Sequence, residues 1–207
     1  MKFKKYIILL ITISFPVLLY LFLRFYGQNE YDLPYFFKDG VEVCEAAEPI
    51  RLSNFDLNRT GSETKTVATF FKGQTNIVLF PNAQLDNQPL KNELNRAMAT
   101  FADRLKIDLH AFVSEDSSEN RTEIKLNQQT IKYHILGADR FQFFQECLLG
   151  LPTPDIGYDH PFEDRIDKAR TVVLLDDSAY IRGYYDVFET KEVDRLVLEL
   201  EILLSNK

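Results

Sequence analysis

Between Thr171 and Leu204 the chain holds one local unit that severely limits its fold. Val172, Val173, Leu174 and Leu175 make a short apolar run of the kind a fully buried strand shows. Asp176, Asp177 and Ser178 supply turn chemistry. Tyr180, Ile181, Tyr184 and Tyr185 then predict a second strand rich in β-formers. Thr190 is placed to cap a helix, with Glu192 in its first turn. Val193, Leu196, Val197, Leu200, Leu203 and Leu204 recur at helical spacing, so that helix has one apolar face. The order strand, tight turn, strand, helix requires a sheet in front of it to complete the packing.

The preceding residues supply that sheet. Residues 50–57 and 64–71 read as two strands of a hairpin turning through 58–63 around Gly61. Asn76 to Phe80 suits a central strand. After a loop from Pro81 to Pro89, Leu90, Leu94, Ala97, Met98, Phe101 and Leu105 share one face of a helix. Ile107 to Val113 carries apolar groups on both faces, as an interior strand does. Strand, helix and strand in this span make a βαβ unit, whose strands run parallel. Ile131, Tyr133 and Ile135 predict a short extended segment, and Ala138 to Leu149 a helix burying Phe141, Phe144 and Leu148. The stretch 150–170 is acidic and proline-containing, and long for a connection.

The first 27 residues have a different composition. Lys2, Lys4 and Lys5 precede an uncharged run from Tyr6 to Leu23, nearly long enough to span the ~30 Å hydrocarbon layer. The run is long for a signal-peptide core, and no small-x-small cleavage site follows it. It predicts a single uncleaved membrane anchor with a cytoplasmic N-terminus. Residues 28–49 then read as a juxtamembrane linker, and 50–207 as one domain outside a bacterial-type inner membrane, on its periplasmic side. Of the 24 basic and 31 acidic residues, only Lys2, Lys4, Lys5 and Arg24 precede Gln28, from which the exported part runs. Its strong negative charge argues against nucleic acid and anionic lipid surfaces as partners.

Chemistry-bearing residues are sparse. Cys44 and Cys147 are the two cysteines, and outside the cytoplasm an even count permits a disulfide. Cys147 also reads as a small buried residue of an apolar helix. His160, beside Asp159, Glu163 and Asp164, could meet a divalent metal, although metal-ligand spacings are not satisfied. His110 and His134 fall on or near strands and read as structural. Residues 58–60 and 120–122 match the short glycosylation acceptor pattern. There is no nucleophile–base pair, phosphate-binding glycine loop or C-x-x-C, so the chain does not read as an enzyme.

Hairpin, βαβα and ββα together follow a thioredoxin-like order with an N-terminal β-hairpin extension and one preceding transmembrane helix. With that anchor, the chain resembles the Sco/SenC family of membrane-anchored copper chaperones. The most specific likeness is Asp176, then Ile181-Arg182-Gly183-Tyr184-Tyr185-Asp186, then Glu192-Val193-Asp194-Arg195-Leu196. Weaker likeness covers residues 71–80 and 106–116. The resemblance implies an α/β domain and copper held by a C-x-x-x-C pair and one histidine. Soft thiolates select Cu(I), and imidazole also accepts Cu(II). At the matching positions this chain carries Gln84, Gln88 and Lys168. An amide is a poor copper ligand and an ammonium repels cations, so the family's copper site is expected to be lost, with no cofactor in its place. What the resemblance then implies is a non-catalytic accessory factor. It would bind a protein partner in the membrane or periplasm, in copper handling or cytochrome c oxidase assembly. The alternative is an active thiol redox protein or metallochaperone using Cys44, Cys147 and His160.

The anchor reading has a direct test. Alkaline phosphatase fused after Lys207 is active only outside the cytoplasm, so the fusion is expected to be active. Activity from a cytoplasm-dependent reporter alone at that point would overturn the orientation.

Overall fold

The computed structural model describes residues 12–22, 33–41, 52, 56–57, 65–66, 71–81, 88–101, 107–116, 131–151 and 167–205. Residues 12–22 form a helix (α1) whose apolar side chains, Phe15, Leu18 and Phe22 among them, are exposed. It lies in a unit ending at Asp32. Among the described residues no helix is long and apolar enough to cross a membrane. The expected span Tyr6–Leu23 extends beyond the described residues at both ends.

The second compact unit runs from Leu33 to Lys207. Its first strands, β1 (Asp56–Leu57) and β2 (Lys65–Thr66), pair antiparallel with Asp56 opposite Thr66, as the hairpin reading requires. A mixed five-stranded sheet follows, in the spatial order β5-β4-β3-β6-β7. β3 (Thr75–Leu79) lies at its centre, fully buried, and pairs in parallel with β4 (Ile107–Ser114). The connection between them is α2 (Gln88–Ala99). β5 (Ile131–Leu136) adds in parallel beyond β4. β6 (Thr171–Leu175) and β7 (Ile181–Asp186) form the antiparallel hairpin on the other side, and α4 (Thr190–Ser205) closes the fold.

Strand alternation divides the core between the two faces of the sheet. Ile77, Leu79, Leu109, Val172 and Leu174 pack against Leu94 and Met98 of α2 and Leu196 and Leu200 of α4. Val78, Phe80, Phe112, Val173 and Leu175 point the other way, against Phe144 and Leu148. At about 25 cal/mol per Å² of apolar area, burial on both faces outweighs any strand propensity in fixing register.

Three expectations need correction. The helix predicted from Ala138 to Leu149 is α-helical only to Phe143 (α3) and continues as a π-helical turn, Phe144–Leu148. Leu149 N–H there donates to the Phe144 carbonyl at 3.1 Å, five residues back. The wider turn buries five consecutive side chains, Gln145 and Glu146 included, which α-helical periodicity does not. Thr190 is the first residue of α4 and not its cap; the Glu189 carbonyl accepts from Glu192 N–H at 3.0 Å and Val193 N–H at 3.1 Å. The segment 28–49 is not simply a linker, because the compact unit begins at Leu33 and not at residue 50. Leu33 and Val41 are buried, and Phe36 N–H bonds the Ile181 carbonyl at 3.0 Å on the outer edge of β7. An edge strand exposes unpaired backbone groups, and this strap supplies partners for them.

The residues that carry the family likeness all have packing tasks. Arg182 is 3% exposed. Its guanidinium meets Asp176 at 3.3 Å, donates to the Leu33 carbonyl at 2.6 Å and lies 3.7 Å from the Tyr35 ring centre. Asp176 Oδ1 also accepts from Ser178 and Tyr180 N–H, fixing the β6–β7 turn. Tyr184 hydroxyl donates to the Leu149 carbonyl at 2.6 Å. Tyr185 reaches Glu199 of α4 beneath the Arg195 guanidinium. Asp186 pairs with Arg170 at 2.8 Å. Gly183 leaves room for Tyr185 to lie across it, since a Cβ there would fall 2.5 Å from Tyr185 Cζ.

Gly183→Ala therefore forces a buried, hydrogen-bonded ring to move. The expected loss is about 1–3 kcal/mol from overpacking, larger than the entropic gain of replacing glycine. Urea denaturation measures it; unchanged stability would mean that the ring does not depend on this gap.

Candidate functional site

The position implied by family resemblance lies at the C-terminal end of β3. Gln84 is outside the described residues. Gln88 opens α2 with an exposed side chain, and its amide donates to Asn92 Oδ1 at 2.8 Å. Lys168 leads into β6, whose Val172 pairs with Leu79 at the end of β3. Its ammonium lies 2.9 Å from Glu146 Oε1 on the π turn. Glu146 is 8% exposed and its other oxygen accepts from Gln142 at 3.3 Å. The element where the resemblance implies an imidazole thus presents a cation already engaged by a buried carboxylate. Such a pair has no thiolate or imidazole to offer a soft metal.

Cys147 is disulfide-bonded, so in this state its sulfur is neither a thiolate ligand nor a nucleophile. The chain's other cysteine, Cys44, and His160 lie outside the described residues. Among the described residues no group of three or more His, Cys, Asp or Glu side chains is arranged to hold a metal.

A different polar cluster lies on the sheet's aromatic face, spanning β3, β4 and β5. Asn76, His110 and His134 come from three adjacent strands. Asn76 Nδ2 donates to the carbonyls of Phe71 and Gln74, each at 2.7 Å. Its Oδ1 must then be the acceptor for His110 Nε2, at 3.2 Å. His110 consequently carries its proton on Nε2, and its Nδ1 accepts from His134 Nε2 at 3.1 Å. Phe71 meets the His110 ring edge-on and Phe112 leans on His134. His110 is 1% exposed. Burial, with smaller contributions from His134 and Lys132, lowers its pKa to about 3. Lys132 is itself paired with Asp108 at 2.5 Å on the same face.

Taken singly along the chain, these histidines give no sign of the cluster. The available signal was period-two alternation. Asp108, His110 and Phe112 share a face of one strand, and Lys132 and His134 a face of the next. Knowing that the strands are neighbours in this register was the missing step.

No family model matches the chain, and no curated protein matches it. Solved structures match its fold. One is a SCO1/SenC family lipoprotein from Bacillus anthracis, 10% identical, with a TM-score of 0.53 over 74% of this chain and 95% of that one. Another is BsSco, a member of the Sco family of cytochrome c oxidase assembly proteins, 11% identical, with a TM-score of 0.53 over 75% and 94%. At such identities the likeness establishes the fold, and the expected Sco/SenC-like, thioredoxin-type α/β architecture is the one found.

The neutral His110 has a thermodynamic consequence. The unfolded chain binds a proton at this residue near pH 6.5, and the folded chain only near pH 3. Between those values the unfolded state holds more protons, so stability falls as pH falls. The contribution is on the order of 4–5 kcal/mol across that window. His110→Gln should be less stable than wild type at pH 7 and should lose less on acidification. Urea midpoints measured from pH 7 to pH 3.5 test this; parallel curves for the two proteins would contradict it.

Proposed function

We propose that this chain is a Sco-like accessory protein, held outside the cytoplasm by its N-terminal segment, that works by binding a protein partner. Its setting is copper handling or cytochrome c oxidase assembly, the process in which BsSco is described as taking part. The observation that carries the reading is the Lys168–Glu146 ion pair at the position where the family resemblance calls for an imidazole. Gln88, with its amide turned to Asn92, agrees with it. A domain that keeps the closing hairpin, the buried arginine and the last helix without a thiol–imidazole set is suited to recognition. It lacks the groups that thiol chemistry or copper transfer at that position would use.

Cross-linking in the native membrane followed by purification of the full-length chain tests the partner reading. Oxidase subunits or copper-handling proteins should be captured. A control carrying only the first 27 residues should not capture them. Competition against a Cu(I) chelator tests the other half, and binding is expected to be no tighter than micromolar. A stoichiometric nanomolar site, lost in Cys44→Ser or Cys147→Ser, would overturn this reading in favour of a rearranged metallochaperone.

A further inference from the structure

The His110–His134 contact is more than a buried hydrogen bond. The ring centroids are 5.4 Å apart and the facing nitrogens 3.1 Å apart, so the difference is about two ring radii. Both nitrogens therefore lie close to the line joining the rings. The rings are also within 24° of coplanar. The lone pair on His110 Nδ1 is aimed at the nitrogen of its neighbour. Asn76 holds it there by accepting a hydrogen bond from Nε2–H, the arrangement in which an outer partner fixes the tautomer of a metal-binding histidine. Asn76 is itself held by two backbone carbonyls, so this orientation is built into the core.

We propose that His110 Nδ1 and His134 Nε2 form a two-coordinate site for a monovalent soft d10 cation, Ag(I) or Cu(I), placed in line between the two imidazoles. Imidazole nitrogen is a competent ligand for such ions, and a head-on pair matches their linear coordination. Zn(II) is a poor fit because it requires four ligands, and among the described residues no third His, Cys, Asp or Glu completes the set. With metal–nitrogen distances of ~2.0 Å the nitrogens must separate to about 4 Å. His134 can provide that movement, being half-buried on the edge strand β5 while His110 is enclosed. On binding, the single ring proton of His134 moves from Nε2 to Nδ1, freeing the Nε2 lone pair for the ion; no proton is lost and no electron is transferred. Phe71 packs on the His110 ring and Phe112 on the His134 ring, giving the pair an apolar surround. The ammonium of Lys132 opposes a cation, but Asp108 pairs with it, and a single charge meets half the repulsion of a double one. This site is separate from the family position: it is built on β4 and β5, whereas the family position follows β3 and leads into β6 on the other side of the sheet.

The probe is Ag(I), added as nitrate in chloride-free buffer to the full-length chain in detergent with its cysteines oxidised. The chain has three histidines, so ¹⁵N-imidazole spectra are assignable from single variants. Silver should bind one per chain and split the ¹⁵N signals of His110 and His134 by direct silver–nitrogen coupling. His134→Phe, a change on the edge strand, should weaken binding by about tenfold or more and abolish the coupling at His110. A circular dichroism spectrum identical to wild type would show that this variant is folded. His160→Gln should change nothing. No binding, or binding with coupling confined to His160 or with none at any imidazole, would overturn the proposal.

Discussion

The fold depends most on what is done with the charge of Arg182. A guanidinium with almost no solvent access is costly unless nearly all of its surroundings answer it. Three groups do so: the Asp176 carboxylate, the Leu33 carbonyl and the face of Tyr35. They come from two pieces of the chain outside its own strand. Asp176 sets the β6–β7 turn, Leu33 and Tyr35 belong to the N-terminal strap, and Arg182 itself lies on the edge strand. Satisfying one buried charge thus joins hairpin, strap and sheet edge. Phe36 then continues the strap along β7, occupying backbone groups that would otherwise invite pairing with another chain.

The same residues explain why a short motif could indicate the fold while leaving function open. In Ile181–Asp186, arginine meets the turn and strap, glycine gives way to a tyrosine ring, both tyrosine hydroxyls find acceptors, and the aspartate holds Arg170. Arg195, within the second half of the likeness, bridges Glu192 and the Tyr184 carbonyl. All of these are tasks of closing a sheet with a helix. A sequence can keep every one of them while the loop after β3 and the approach to β6 change their chemistry.

Legibility in the sequence followed the range of the forces involved. Strands β3, β4, β6 and β7 and both long helices were readable because alternation and helical spacing are local patterns. The π turn was not, because an extra residue in a helical turn leaves no periodic mark, and Gln145 and Glu146 look like surface residues. The strap was not, because its strongest bond joins residues 149 apart in sequence. At the candidate site, a lysine, Lys168, where the resemblance implies an imidazole was readable from the chain. Its pairing with Glu146 depended on the same unread π turn.

These facts separate two polar places within one sheet. At the C-terminal end of β3, charge is answered by charge, Lys168 by Glu146, in a half-open setting that offers no lone pair of a soft donor. Across β4 and β5, charge is kept off the buried imidazole. Burial keeps His110 neutral, and Asn76 directs its lone pair at a second imidazole. Neutrality and direction are the properties that turn a buried histidine from a packing residue into a donor. They come here from strand adjacency alone, since Asn76, His110 and His134 share no local segment. A thioredoxin-type sheet therefore need not place its donor atoms only at the loop after its first core strand. Adjacent strands in parallel register can assemble an oriented pair in the core, at the cost of admitting only what two facing nitrogens can hold.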